Sequence, residues 1–262
     1  MTSKKLPSLL GGSMIIAGTA IGAGMLANPT AMSGIWFLGS VILFLIIWGI
    51  TTLSALMLLE ANLHFEKGAN FDTITTQLLG KGWNIFNGIS VAFTLYILTY
   101  AYITSGGSIN KSLLNRFVSE LPINHTFAAL LFCLALALFV SISTKAVDRM
   151  STILISGMVI AFFLSTTGLL SSAKSEILLN TVAHTETSYL PYLFSAIPTC
   201  LVSFGYHICV PTLVNYYDKK SKKVIYSILI GSLLALIIYI SWQMAVQGNL
   251  PRGEFAPIIA KN

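Results

Sequence analysis

Between Lys5 and Glu60 the chain carries no Asp, Glu, Lys or Arg, and its apolar residues run on continuously instead of alternating with polar ones. A bilayer core about 30 Å thick is crossed by about 20 helical residues, so this run is long enough for two spans. Taken along the whole chain, hydropathy and the positions of the charges predict seven spans, at roughly 8–33, 35–60, 85–107, 126–144, 150–171, 192–216 and 224–247. A barrel would show short alternating segments, so the spans are expected to be helices and the fold class all-α and polytopic. Spans one and two are joined by a tight turn near Ser33 and Gly34. Phe71, Ile74 and Leu78 recur at helical spacing between Asn70, a cap, and Gly80 or Gly82, which predicts a short helix lying on the membrane interface. Residues 145–149 read as a short turn, and residues 172–191 as a loop with one helical turn near 176–179.

Two spans carry interruptions. Residues 18–29 read GTAIGAGMLANP, with three glycines and Pro29 inside an otherwise membrane-like segment. Glycine loses most backbone entropy in a helix and proline lacks the amide that bonds one turn back, so this span is expected to break. Irregular backbone at bilayer depth survives only where protein or a water-filled cavity receives its polar groups, which makes the break a candidate site. Gly18 and Gly22, and Ala20 and Gly24, are also small-xxx-small pairs, and close helix packing is the competing reading. Span six repeats the pattern: residues 203–211 read SFGYHICVP, with Gly205 followed by Pro211 and preceded by Pro198. Paired interruptions five spans apart point to an inverted-repeat transporter with its substrate site at the midplane.

Composition agrees with the pattern: 55% of the 262 residues are hydrophobic and 9% charged, where soluble domains carry about 25% charged residues. The net charge of +6 comes from Lys and Arg placed between apolar runs, which excludes a nucleic-acid surface. With the N-terminus in the cytoplasm, ten of them lie inside (Lys4, Lys5, Lys67, Lys81, Lys145, Arg149, Lys219, Lys220, Lys222, Lys223) and five outside (Lys111, Arg116, Lys174, Arg252, Lys261). The positive-inside rule favours that orientation, and the N-terminal run is too long and glycine-broken for a cleaved signal. Cys133, Cys200 and Cys209 fall in apolar segments as small hydrophobes, with neither disulfide nor metal spacing. Tyr96, Tyr100 and Thr104 share one face of span three, either lining a cavity or bonding a neighbouring helix. No Asp, Lys or Arg falls within a span, Glu60 marks the end of the second, and His207 is the one histidine inside one. It is a candidate for proton coupling, with a structural hydrogen-bonded role as the alternative. The spans show no metal-ligand set, carboxylate pair or activated nucleophile, so an enzyme is not expected.

At AGTAIGAGMLANP (17–29) and SFGYHICVPTL (203–213) the chain resembles the bacterial hydroxy and aromatic amino acid permeases, within the amino acid, polyamine and organocation superfamily. The Tyr-rich third span and IYISWQMAVQGNLPR (238–252) carry the resemblance over essentially the whole chain. It implies one transmembrane domain of the LeuT-like five-plus-five inverted-repeat fold, with helices 1 and 6 broken mid-membrane. The first repeat would span roughly 8–171 and the second, incomplete, roughly 192–247. The family has about eleven spans, so the resemblance also implies that the chain is truncated at its C-terminus and is not expected to catalyse concentrative transport alone. The implied activity is import of an aromatic amino acid, tyrosine first, across the bacterial cytoplasmic membrane by proton symport, with no cofactor. A non-transporting fragment, or a regulatory or receptor-like membrane relative, is the alternative.

An amino acid substrate needs partners for both charges. Amides freed near Gly22, Ala23 and Gly24, at the positive end of the helix fragment starting at Met25, suit its carboxylate. Carbonyls around Thr19, Ala20 and Ile21, and around Ser203 and Phe204 beside Gly205, suit its ammonium. Phe204, Tyr206, Tyr96 and Tyr100 are candidates for its ring, each with core packing as the alternative.

Overall fold

The structure, a computed structural model, describes residues 8–117, 123–142, 144–181 and 188–255. Lys4, Lys5 and Lys261, which entered the charge bias, lie outside the described residues. Ten α-helices follow one another: α1 (Leu9–Ala31), α2 (Trp36–Leu63), α3 (Phe71–Leu79), α4 (Lys81–Phe117), α5 (His125–Ile142), α6 (Thr144–Ser172), α7 (Ser175–Leu178), α8 (Leu193–Ser203), α9 (Cys209–Tyr216) and α10 (Ser221–Gln247). The described residues form no strand. Among the described residues three helices, Trp36–Leu63, Lys81–Arg116 and Ser221–Gln247, are long and apolar enough to cross a membrane, or four if the bent pair within α1 counts as one span. The apolar stretches His125–Leu138, Gly157–Ser172 and Leu190–Ser203 are shorter.

The chain divides into two compact units, Met1–Asn84 with Ser165–Asn262, and Ile85–Leu164. In the first, α1 and α10 run parallel: Gly12 meets Ser227, Ile16 meets Gly231, Ala20 meets Tyr239 and Pro29 meets Gln247. Glycine makes the approach possible, since a Cβ at Gly231 would stand 2.5 Å from the Ser13 carbonyl oxygen and 2.7 Å from Ile16 Cβ. Between apolar helices in lipid, association rests on such packing and on interhelical hydrogen bonds. Both occur here. α2 and α8 complete the core, in which Phe44, Phe204, Leu213, Ile228 and Tyr239 are all buried.

In the second unit α4 and α5 cross at small residues. A Cβ at Gly107 would lie 2.6 Å from that of Ala129, and one at Gly106 would meet the Phe132 ring at 2.7 Å or closer. His125 Nε2 hydrogen-bonds Ser108 Oγ at 3.1 Å and the Thr104 carbonyl at 3.2 Å.

The short helix expected after span two forms as α3: Asn70 Oδ1 accepts from the Thr73 amide at 2.9 Å, and Gly80 terminates it at φ 85°. Of its apolar stripe Ile74 is buried, whereas Leu78 is exposed. α7 supplies the single turn expected after span five. Residues 145–149, expected as a turn, instead lie in the first turns of α6. No glycine or proline stops the helix there, and Lys and Ala propagate it well. The first span is bent and not unwound: α1 is helical throughout and turns by 43° between Leu9–Gly22 and Gly24–Ala31. Glycine pairs and proline are the common causes of such kinks, and they need not open the ladder.

Candidate functional site

Span six does come apart. α8 ends at Ser203, α9 starts at Cys209, and the amides between them make short local turns: Phe204 to the Leu201 carbonyl at 3.2 Å, Gly205 to Val202 at 3.1 Å and Tyr206 to Phe204 at 3.0 Å. Pro211 sits in the first turn of α9, where a missing amide costs nothing. The Ser203 carbonyl is left for a side chain to satisfy.

The bend of α1 and this break face each other. Thr19, Gly24 and Asn28 of α1 each meet span six. Thr19 Oγ1 lies 3.2 Å from Cys209 Sγ at the start of α9. Gly24 packs on Ser203 so closely that a Cβ would stand 2.5 Å from Ser203 Cβ and 2.7 Å from its Cα. Asn28 Oδ1 accepts from Ser203 Oγ at 2.9 Å, while Asn28 Nδ2 is buried with no partner among the described residues. The packing reading of Gly24 therefore has a definite contact behind it, whereas a Cβ at Gly18 would meet nothing within 4 Å.

A residue from α10 ties the two spans together. The Tyr239 hydroxyl donates to the Ala20 carbonyl, one turn before the Gly24 side of the bend, and lies 2.7 Å from the Ser203 carbonyl at the break. Its ring stacks on Phe44 at 5.7 Å and meets Phe204 edge-on at 5.2 Å. Tyr206 is anchored in the same manner: its hydroxyl lies 3.0 Å from Thr52 Oγ1 on α2, and Thr52 reaches Ser232 Oγ at 3.4 Å. His207, half-buried, stacks on the Tyr206 ring at 5.4 Å and 12°.

Of the residues singled out from sequence, Thr19, Ile21, Gly22, Gly24 and Met25 on α1 and Ser203, Phe204, Gly205, Tyr206 and His207 around the break all belong to the first unit. The side chain of Ala23 lies outside the described residues. Met25, Phe204 and Tyr206 are buried, Gly205 is exposed, and Ile21 and Gly22 are intermediate. Tyr96 and Tyr100 belong to the second unit, where both are exposed. The residues not foreseen are Tyr239, Asn28, Thr52 and Phe44. Tyr239 is joined on its helix by Gln243, which donates to Ser40 Oγ at 3.0 Å, and Gln247, which donates to the Pro29 carbonyl at 3.2 Å.

Comparison with known proteins gives a consistent answer. The model of a family described as the tryptophan/tyrosine permease family matches residues 5–262. A tryptophan-specific transport protein of Haemophilus influenzae is 63% identical over 100% of this chain and 63% of its own length. A second of that name, from Shigella flexneri, is 48% identical over 99% of this chain and 62% of its own. A tyrosine permease of Enterobacter agglomerans is 38% identical, covering 98% and 62%. The chain thus spans less than two thirds of the length of these relatives. No solved structure matches it.

Proposed function

The chain belongs to the tryptophan/tyrosine permease family, and from that premise we propose that it serves in secondary import of an aromatic amino acid across the bacterial cytoplasmic membrane, tryptophan ahead of tyrosine. The family is one of permeases, which favours transport over both an enzyme and a non-transporting relative. Relatives named tryptophan-specific are 63%, 52% and 48% identical, whereas those named for tyrosine are 38% and 33%. Tyrosine, the substrate expected first from the sequence, is the second reading, and it rests on those last two names.

The observation that carries the reading is the meeting of a bent span one with a broken span six through Ala20, Gly24 and Ser203. It supports the LeuT-like inverted-repeat arrangement, in which corresponding helices of two repeats are interrupted around a central site. On this reading the carbonyls of Ala20 and Ser203 take the substrate ammonium, and the buried Asn28 amide nitrogen faces its carboxylate, because the continuous α1 keeps the amides of Gly22, Ala23 and Gly24 within the helix. The aromatic ring lies against Phe204 and Tyr206 of the first unit. His207 is the group proposed to couple uptake to protons, and the charge bias favours an N-terminus in the cytoplasm.

The test is uptake of labelled tryptophan by membrane vesicles from cells expressing the gene, under an imposed inward proton gradient. Saturable accumulation, blocked by unlabelled tryptophan at lower concentration than by tyrosine and collapsed by a protonophore, is the expected result. Accumulation indifferent to the proton gradient would remove the symport, and inhibition by tyrosine ahead of tryptophan would reverse the substrate order.

A further inference from the structure

We propose that Tyr239 is a specificity-determining residue whose hydroxyl guards the two interruption carbonyls, so that only a solute carrying an ammonium group can take its place. The inference rests on the reading of Ala20 and Ser203 as ammonium partners. Tyr239 is 1% exposed, and its hydroxyl is hydrogen-bonded to both of those carbonyls at once. A phenol has a single proton to donate, so the two acceptors share one hydrogen. An ammonium has three, and its charge-assisted bonds are about twice as strong as neutral ones. It therefore satisfies both carbonyls fully where the phenol satisfies them jointly. A neutral aromatic solute, or one with a carboxylate alone, offers the carbonyls nothing better than the hydroxyl already does.

Two features make the hydroxyl a guard and not a fixed brace. Its ring is seated by aromatic contacts, with Phe44 stacked at 5.7 Å and Phe204 edge-on at 5.2 Å, and neither bonds the oxygen. The carbonyls it covers come from different helices: Ala20 lies just before the bend of α1, and Ser203 ends α8 at the break of span six. A side chain serving one helix alone would satisfy only one of them. The guard thus senses the substrate at the point where the two interrupted spans meet.

The sign of the effect separates this role from a structural one. Tyr239→Phe removes the competitor and leaves two carbonyls seeking a donor, so ligands with an ammonium should bind more tightly while the protein without ligand becomes less heat-stable. A tie that merely holds the site together would weaken every ligand alike. The experiment measures equilibrium binding to the purified chain in lipid nanodiscs, using tryptophan, tryptamine (ammonium, no carboxylate) and indole-3-propionate (carboxylate, no ammonium). In Tyr239→Phe, tryptophan and tryptamine should bind about three- to tenfold tighter, the worth of one net hydrogen bond. The affinity for indole-3-propionate should not change. Phe44→Leu, which loosens the seat of the ring but keeps the hydroxyl, should give a smaller gain confined to the same two ligands. Equal weakening of all three ligands, or no gain for the amines, overturns the proposal while leaving the transport reading intact. Failure of the unaltered chain to bind tryptophan or tryptamine would instead strike the transport reading and take the proposal with it. If neither variant folds, the hydroxyl is a structural tie and the proposal falls.

Discussion

Gly24 and Gly18 are matched glycines six residues apart on one helix, and the structure assigns them opposite responses to the same change. In Gly24→Ala the new methyl would lie 2.7 Å from Ser203 Cα and 2.5 Å from its Cβ. Carbon atoms settle at about 3.5–4.0 Å, so α1 and α8 must separate by about 1 Å. No flexible chain end can absorb the clash, because one of the opposing atoms is backbone. Overpacking of this kind costs about 1–3 kcal/mol. The same displacement stretches the 2.9 Å bond from Ser203 Oγ to Asn28 past hydrogen-bonding range, adding about 1–3 kcal/mol for buried groups left unsatisfied. Gly24→Ala should therefore destabilise by about 2–6 kcal/mol. Gly18→Ala meets nothing within 4 Å and gains about 0.5–1 kcal/mol from the backbone entropy of the unfolded chain. Reversible unfolding in mixed detergent micelles, followed by circular dichroism, measures both. If Gly24→Ala proves as stable as the unaltered protein, the α1–α8 approach is not as drawn, and the packing account of this glycine fails.

Three further outcomes are open to measurement. Replacing His207 by Gln keeps a hydrogen-bonding side chain but removes the imidazole's capacity to take up and release a proton; accumulation driven by a proton gradient should fail while tryptophan exchange across vesicles survives, and unchanged accumulation would move coupling elsewhere. Tyr206→Phe removes the 3.0 Å bond to Thr52, but Thr52 keeps Ser232 within 3.4 Å, so the loss should stay near 1 kcal/mol in the same unfolding assay; a loss several times larger would mean that the hydroxyl holds the break together. Single reporter cysteines in the segments 145–149 and 219–223 should be shielded from an impermeant reagent in intact cells, and one at Lys174 should react, as the ten-to-five charge bias requires; labelling of the 219–223 segment from outside would invert the topology.

Legibility from sequence followed the range of the interactions involved. α3 could be read residue by residue because its cap at Asn70 and its stop at Gly80 are local events, fixed by a side-chain oxygen three residues from its amide and by a left-handed glycine. The break in span six was legible for a similar reason, since Gly205 and Pro211 each weaken the helix ladder where they stand. The first span shows where local reasoning overreaches. Three glycines and Pro29 license a break, but α1 is packed against both α8 and α10, and the result is a 43° bend in a helix that continues. Tertiary packing decided between two outcomes that the residues alone left open. Tyr96 and Tyr100 illustrate the converse, for their shared helical face follows from spacing but the partner of that face does not.

Tyr239 was missed although a signal for it was present. Tyr239, Gln243 and Gln247 recur every fourth residue along a segment otherwise dominated by apolar side chains. A helix repeats its face every three to four residues, so all three share one side. Hydrogen-bonding groups at bilayer depth turn away from lipid toward protein or a cavity, so that side had to be the buried face of the seventh span. In the structure all three are at most 1% exposed, and they bond to the Ala20 carbonyl, Ser40 Oγ and the Pro29 carbonyl in turn. The stripe therefore fixes the rotation of α10 about its own axis. Its three targets lie on α1 and α2, so a polar stripe on one span also specifies which hairpin it must dock against.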